Sequence, residues 1–274
     1  MRRFYLLMIL QGLVLSAWAQ TNEGVGKTVQ ENGRHDFSHC GFYLKIGSGA
    51  SFSNKAHISA PSDAWSPAIQ GYNSGLGTAP IVLSALGYDT PYAIVEVSAS
   101  YRPDYTYKKF QTSPMEPFNV LGARTRRFNL DISSVMFSLY FSGRGFNHVH
   151  CRAGNGGIIY PILGGGAGSS QLKMYNFRST GLPPIDPNFD FPTFESENQY
   201  AISYRFTYQL MGGLEYRYRD LCALSFGYRW FDISRFRGPR YVRSSEGLAL
   251  DVQSDTWKIK FNANEAFVEF KVFW

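Results

Sequence analysis

The sequence predicts an all-β chain that closes into an eight-stranded antiparallel up-and-down transmembrane β-barrel. Three observations carry that prediction. The last nine residues alternate strictly, with Ala266, Val268, Phe270, Val272 and Trp274 on one face and Phe267, Glu269, Lys271 and Phe273 on the other. Period two is the signature of a strand. One face holds charge and the other only grease, the order of a barrel whose outside meets lipid and whose inside holds polar groups. Second, 44% of residues are hydrophobic and 16% aromatic, yet charges or glycines interrupt every apolar run after the amino terminus. Aromatics dispersed over short strands are how a barrel carries its hydrophobicity without a membrane-spanning helix. Third, long and short connections alternate along the chain, which puts long loops at one barrel end and short turns with both termini at the other.

Residues 1–19 read as a secretory signal peptide. Met1-Arg2-Arg3 is a basic start, Phe4 to Leu15 is apolar but for Gln11 and Gly12, and Ala17-Trp18-Ala19 is a small-x-small cleavage site. The run falls short of the roughly 20 residues that a spanning helix needs. Arg2-Arg3 lacks twin-arginine context, and no cysteine at the cut marks a lipoprotein. Losing this segment lowers the formal charge from +6 to +4, too mild and too dispersed for a nucleic-acid partner. Residues 20–40 read as a flexible periplasmic tail. Its Gly24-Val25-Gly26-Lys27-Thr28 is no phosphate loop, because Thr21 stands where the Walker pattern needs glycine and no strand precedes it.

The barrel is expected over 41–274. The first strand, about 41–52, sets Phe42, Leu44, Ile46 and Ala50 against Tyr43, Lys45, Gly47 and Gly49. A long loop is expected over 53–91, rich in Ser, Gly, Asn and Pro. Strand two, about 91–101, turns Val95 and Val97 outward and Glu96 inward. Arg102-Pro103-Asp104 is expected as a tight turn into a third strand at 105–110, and 111–127 as a second loop. Strand four, about 128–141, points Val135, Phe137, Leu139 and Phe141 outward. Its return, 142–156, holds His148, His150 and Cys151. Strand five, 157–170, faces Gly164, Gly166 and Gly168 inward, leaving room for long side chains from neighbouring strands. Loop three, 171–199, carries four prolines and four acids. Strand six, 200–218, alternates most clearly: Phe206, Tyr208, Leu210 and Leu214 against Arg205, Gln209, Glu215 and Arg217. Strand seven, 221–231, points Arg229 inward. Loop four, about 232–256, opens with Arg235, Arg237, Arg240 and Arg243, and strand eight closes at Trp274.

Three of these stretches carry a resemblance. Tyr160-Pro161-Ile162-Leu163-Gly164-Gly165-Gly166-Ala167-Gly168 resembles the Pro-x-x-Gly-x-Gly-x-Gly strand of the OmpA-like and opacity-type barrel superfamily. Residues 206–216 and Gly227-Tyr228-Arg229-Trp230-Phe231-Asp232 resemble its sixth and seventh strands. The aromatic end resembles the assembly signal of such barrels, placing Phe270, Val272 and Trp274 before the barrel-assembly machinery. The resemblance covers about 41–274 and implies the outer membrane of a Gram-negative bacterium. No peptidoglycan-binding domain follows the barrel, so no cell-wall tether is implied.

Candidate sites divide by barrel region. The lumen set is Lys45, Glu96, Arg205, Gln209, Glu215, Arg217, Arg229, Glu269 and Lys271. Isolated buried charges are very costly, so these groups are expected to pair as a plug, with Glu215 holding one or more of Arg205, Arg217 and Arg229. A hydrated pore lined by the same residues is the second reading, and chemistry inside the lumen the third. His35, His39 and Cys40 precede strand one, and His148, His150 and Cys151 lie on the same side. Their types suit zinc or copper, but the spacings match no metal motif and no metal is expected. An oxidising compartment permits a Cys40–Cys151 disulfide; three reduced thiols is the other reading. Arg235, Arg237, Arg240 and Arg243 are expected just above the outer interface, where guanidinium groups grip lipopolysaccharide phosphates bidentately. No Gly-x-Ser-x-Gly appears and His57 lacks a matched Ser or Asp signature, so no catalytic residue and no cofactor is expected. The functional reading is a structural or adhesin-like surface role, with a host or extracellular ligand met by loops one and three. A narrow channel and a lipid-modifying barrel enzyme are the alternatives.

Overall fold

The computed structural model describes residues 40–53, 57–59, 76–115, 120–146, 148–153, 156–182, 194–196, 200–237, 242–244, 249–250 and 258–274. The expected signal peptide, and the expected tail up to residue 39, lie outside them. Eight long strands are labelled in chain order: β1 (Gly41–Ser53), β2 (Gly77–Asp89), β3 (Ala93–Met115), β4 (Val120–Ser142), β5 (Gly157–Leu182), β6 (Tyr200–Tyr218), β7 (Cys222–Arg237) and β8 (Lys258–Phe273). Each pairs antiparallel with its chain neighbours, and β1 pairs with β8 from Tyr43↔Phe273 to Phe52↔Asn264. The sheet therefore closes on itself and has no edge. Trp274 adds a backbone bond across the seam, its N–H donating to the Phe42 carbonyl at 3.1 Å.

Alternation sets the two faces. Phe42, Val97, Phe137, Leu163, Leu210, Phe226 and Phe270 are all exposed, Leu163 by 66%, while Tyr43, Glu96, Tyr140, Glu215, Arg229, Glu269 and Lys271 are buried. This is a water-soluble sheet turned inside out. The outward apolar belt can rest only in lipid.

The count of eight strands stands although several expected boundaries do not: β5, expected to end at 170, runs on to Leu182 through the first part of the expected loop 171–199. Residues 77–89, expected within a loop, form β2. That strand has apolar residues on both faces: Ala79, Ile81, Leu83 and Ala85 buried, Leu86 and Tyr88 exposed. No polar-apolar rhythm marks it. Arg102-Pro103-Asp104, expected as a turn, is a β-bulge inside one 23-residue strand, where the β3–β4 register slips between Arg102 and Tyr105. Asp104 takes φ 58° there, a left-handed conformation that Asp tolerates better than most residues. The extra residue switches parity, so Arg102 and Tyr105 both face the lumen. Further slips occur opposite Asn176 (φ 53°) in β5 and between Ile233 and Phe236 in β7. The expected second loop, 111–127, is mostly strand as well. Pairing runs unbroken from Gln111↔Arg124 to Met115↔Val120, an extended hairpin that projects at the long-loop end.

The opposite end is tied by short turns. Thr90 Oγ1 donates to the Ala93 carbonyl and accepts from the Ala93 N–H at 2.7 and 3.0 Å. Ser142 caps the single turn Gly143–Gly145, and Arg219 takes φ 51° between β6 and β7. Glycine makes the inside fit. A Cβ on Gly87 would lie 2.3 Å from the Tyr43 ring, and one on Gly227 would lie 2.4 Å from Phe267. Both rings cross the lumen in that space.

Candidate functional site: the filled lumen and the outer rim

Inward positions place six cations and five carboxylates of the described residues inside the barrel: Lys45, Arg102, Arg144, Arg217, Arg229 and Lys271 with Asp89, Glu96, Glu215, Glu265 and Glu269. They stack in tiers from the short-turn end. Lowest, Asp89 receives Arg217 Nη1 at 2.8 Å and Arg144 Nη2 at 3.3 Å, and Arg217 also reaches Asp220 at 3.0 Å. Next, Glu215 takes Lys271 Nζ at 2.5 Å, the Tyr160 hydroxyl at 2.5 Å and Ser225 Oγ at 2.8 Å. Its cation is thus Lys271, not one of the arginines expected beside it.

The third tier is shared. Lys45 Nζ lies 2.6 Å from Glu96 Oε2 and 2.9 Å from Glu269 Oε2. The second contact is close in charge but too poorly aligned to be a hydrogen bond, since Glu269 Oε2 has none. Arg229 reaches Glu269 at 3.1 Å and Glu265 at 3.5 Å, while Tyr43 and Tyr140 donate to Glu96 at 2.7 and 3.3 Å. Highest, Arg102 grips Glu265 through Nε and Nη2 at 2.5 and 3.1 Å, with its guanidinium 3.8 Å over the Phe231 ring. Ser51 Oγ donates to Glu265 at 2.8 Å and receives the Tyr105 hydroxyl. Gln209 joins through Ser138 at 3.0 Å.

Above this tier the lumen changes character. Tyr105, Tyr107, Phe128, Leu130, Ile132, Leu172, Met174, Phe177, Phe231, Phe236 and Phe261 form one buried cluster that caps the ionic layers towards the long-loop end. A lumen needs polar lining to conduct ions. Here each of these carboxylates is paired, and buried aromatic and aliphatic side chains pack above Arg102.

Four lumen residues escaped the sequence reading. Asp89 sits in the unrecognised β2, Arg102 in the supposed turn, Arg144 in the return between β4 and β5, and Glu265 one residue before the terminal alternation. The signal for Glu265 was present, because odd positions 267, 269 and 271 continue inward to 265. Balance was a second signal: the expected set held five cations and only three acids. Among the described residues Arg205 joins none of the lumen ion pairs and its Nε lacks a partner, while its Nη1 donates to the Tyr204 carbonyl at 3.2 Å.

The permitted Cys40–Cys151 disulfide is not formed: Cys40, Cys151 and Cys222 are not bridged, and the first two are exposed. Cys40 leads into β1 and Cys151 pairs with Ile159 of β5, four strands away in either direction around the barrel. Disulfides need Cα atoms within about 7 Å. His150 Nδ1 lies 3.0 Å from the Phe146 carbonyl, and among the described residues no three metal-ligating side chains converge. His35 and His39 lie outside the described residues. His57 opens a short strand, His57–Ser59, paired with β8. Of the loop-four arginines, Arg235 is exposed on β7, Arg237 ends that strand, Arg243 lies in the short strand Val242–Ser244, and Arg240 is outside the described residues. Phe270 and Trp274 are exposed on the outward face of the terminal strand, with Val272 half-buried between them.

A closed barrel, apolar outside and ion-paired inside, is a transmembrane protein, since closure alone satisfies every strand's backbone in lipid. The chain's architecture is an eight-stranded antiparallel transmembrane β-barrel. No protein-family model matches it and no curated protein sequence is similar to it. Among solved structures, Neisserial surface protein A is similar over 86% of this chain and 99% of its own, at 10% identity and a TM-score of 0.44. The outer membrane protein OprG from Pseudomonas aeruginosa covers 84% and 95%, at 10% identity and 0.42. Ail, the attachment invasion locus protein of Yersinia pestis, solved with the heparin analogue sucrose octasulfate, covers 83% and 99%, at 10% identity and 0.29. These likenesses concern the fold alone.

Proposed function

We propose that this chain is a closed outer-membrane barrel that works as a surface-interaction protein at its long-loop end, not as a channel. One observation carries the reading: the Arg102–Glu265 tier and the aromatic cluster above it fill the lumen, with Arg102, Glu265, Tyr105, Phe128, Phe231 and Phe261 all at 0% exposure. With transport blocked, the elements left to act are loops 54–76 and 183–199, the projecting β3–β4 hairpin, and the loop-four arginines Arg235, Arg237, Arg240 and Arg243. Their partners on this reading are lipopolysaccharide and a host or extracellular ligand, while Phe270, Val272 and Trp274 present the strand that the barrel-assembly machinery takes up.

Two measurements on one preparation test this. In planar bilayers the purified barrel should give no conductance steps above the protein-free baseline. Steady steps would establish the channel alternative. Joining Phe110 to Thr125 through Asn-Gly, a two-residue hairpin turn, should leave the barrel folded and abolish binding of cells that display it to extracellular matrix or host cells. Equal binding would remove the hairpin from the surface.

A further inference from the structure

The charges inside the barrel do not balance evenly by height. The two upper tiers hold Lys45, Arg102 and Arg229 with Glu96, Glu265 and Glu269, three of each sign. The two lower tiers hold Arg144, Arg217 and Lys271 with only Asp89 and Glu215. Lys271 takes Glu215 at 2.5 Å and Arg217 takes Asp89 at 2.8 Å, so the cation left over is Arg144. Asp220 stands at the rim, 45% exposed, and it too belongs to Arg217, at 3.0 Å.

Hydrogen bonding singles out the same residue. Every nitrogen of the Arg217 guanidinium is served: Nη1 by Asp89, Nη2 by Asp220 and Nε by the Arg219 carbonyl at 3.2 Å. Arg144 sets Nη2 on Asp89 at 3.3 Å, while its Nε and Nη1 have no partner among the described residues. Its side chain is nonetheless 0% exposed. A guanidinium stays charged and can only donate, and burying such donors without an acceptor costs more than burying neutral ones.

The fold holds the arginine there. A long cationic side chain on a short turn can ordinarily reach water. Here the Gly143–Gly145 turn is tied to the connection between β2 and β3: the Ser142 and Gly145 N–H groups donate to the Tyr92 and Pro91 carbonyls at 2.9 and 2.8 Å. The Arg144 N–H donates to Ser142 Oγ at 3.4 Å. Neighbours in register offer no side-chain acceptor, since Ile94 stands beside Asp89, Ile162 beside Ser142 and Ile158 beside Arg217, all buried. Packing around the turn is tight: a Cβ on Gly143 would lie 2.8 Å from Pro161, and one on Gly145 2.4 Å from Tyr92. That favours a monatomic anion over a phosphate or a carboxylate-bearing ligand.

We infer that Arg144 forms a site for one chloride ion at the short-turn end of the lumen. The anion accepts the N–H groups that Asp89 leaves unmet and brings the lower tiers to three charges of each sign. Arg217, held on the same Asp89, adds positive field without a free donor. The site lies at the opposite end from the long loops and does not rest on what they bind.

The test compares the full barrel, folded in phosphatidylcholine vesicles, in sodium chloride and in sodium gluconate at equal ionic strength. A ligand that binds only the folded state raises the folded-to-unfolded ratio by one plus its concentration over its Kd. With half-saturation at about 1 mM, about 100 mM chloride should raise that ratio about a hundredfold over gluconate, read as a higher urea midpoint. Bromide should act as chloride does, and crystals grown in bromide should show an anomalous peak against Arg144 Nε or Nη1. R144Q should lose both the anion dependence and the peak, whereas R152Q, at an exposed arginine of the same end, should keep both. D89N removes the competing carboxylate and should enlarge the chloride effect, which a merely structural Arg144 would not do. Equal midpoints of the parent in the two salts overturn the inference, and so does a bromide crystal with only water on Arg144. If R144Q does not fold, those two measurements on the parent decide alone. A chloride effect that survives unchanged in R144Q belongs to another site and overturns the inference too.

Discussion

Glu265 is the acid on which the upper lumen depends, and Glu265→Gln isolates its charge. Its side chain is fully buried and receives Arg102 through two bonds, Ser51 through a third, and Arg229 at 3.5 Å. Glutamine keeps the shape but supplies one neutral oxygen, and its amide must point donors at a guanidinium or at Ser51. Arg229 retains Glu269 at 3.1 Å. Arg102 retains only the Ser100 and Ser134 hydroxyls, at 2.9 and 3.3 Å, and the Phe231 face. Removing one partner of a buried ion pair costs about 3–5 kcal/mol. Because neutral acceptors remain, the expected loss is near the lower end, about 3 kcal/mol. With a urea slope of about 1–3 kcal/mol/M that moves the unfolding midpoint by about 1–3 M. The assay is equilibrium urea unfolding in lipid vesicles, followed by tryptophan fluorescence. The paired variant R102M/E265L removes both charges and should recover most of the loss, since apolar replacement of a whole buried pair is often neutral or stabilising. An E265Q midpoint equal to the parent's would refute the reasoning: water would have to reach the tier, and the lumen would be wet.

Other tests probe the remaining faces of the barrel. Leu210→Arg or Leu214→Arg puts a guanidinium on the lipid side of β6, where both leucines are more than half exposed; each should cost about 2–4 kcal/mol near the midplane, and full folding yield from detergent into lipid would invert the facing. Gly87→Ala drives a methyl group into the Tyr43 ring and should cost about 1–3 kcal/mol as overpacking, with the Tyr43–Glu96 bond lost; an unchanged unfolding midpoint would show that the ring has another place to go. Cys40 and Cys151 should each take a maleimide label in the folded, unreduced barrel, and a mass showing both protected as a pair would restore the disulfide.

Much of the architecture was legible because period two is a local property. Wherever one face of a strand was polar and the other apolar, the facing read from sequence is the facing observed, from Lys45 in β1 to Lys271 in β8. Reading failed where that contrast vanished. β2 is apolar on both faces over most of its length because Ala79 joins the upper cluster and Gly87 lies against the Tyr43 ring, and only Asp89, at its end, meets ions. The Arg102-Pro103-Asp104 bulge failed for another reason: proline beside aspartate is good turn chemistry, and only pairing with β4 on both sides of it keeps the strand going. The two misreadings offset each other in the strand count.

The sequence by itself determined that this chain forms a transmembrane barrel and which side of each clear strand meets lipid, since both follow from residue type at i and i+2. Tertiary structure alone decided who pairs with whom. Ion partners inside a barrel lie on different strands, often more than a hundred residues apart, as Arg102 and Glu265 do. Their meeting depends on register, on bulges that switch parity, and on closure of β1 against β8. The same holds at the short-turn end, where Arg144 and Arg217 meet on Asp89 only because a turn and the ends of two strands converge there. Alternation sets the side on which a charge stands; the ladder of backbone hydrogen bonds sets the height at which it stands and the neighbours it meets there.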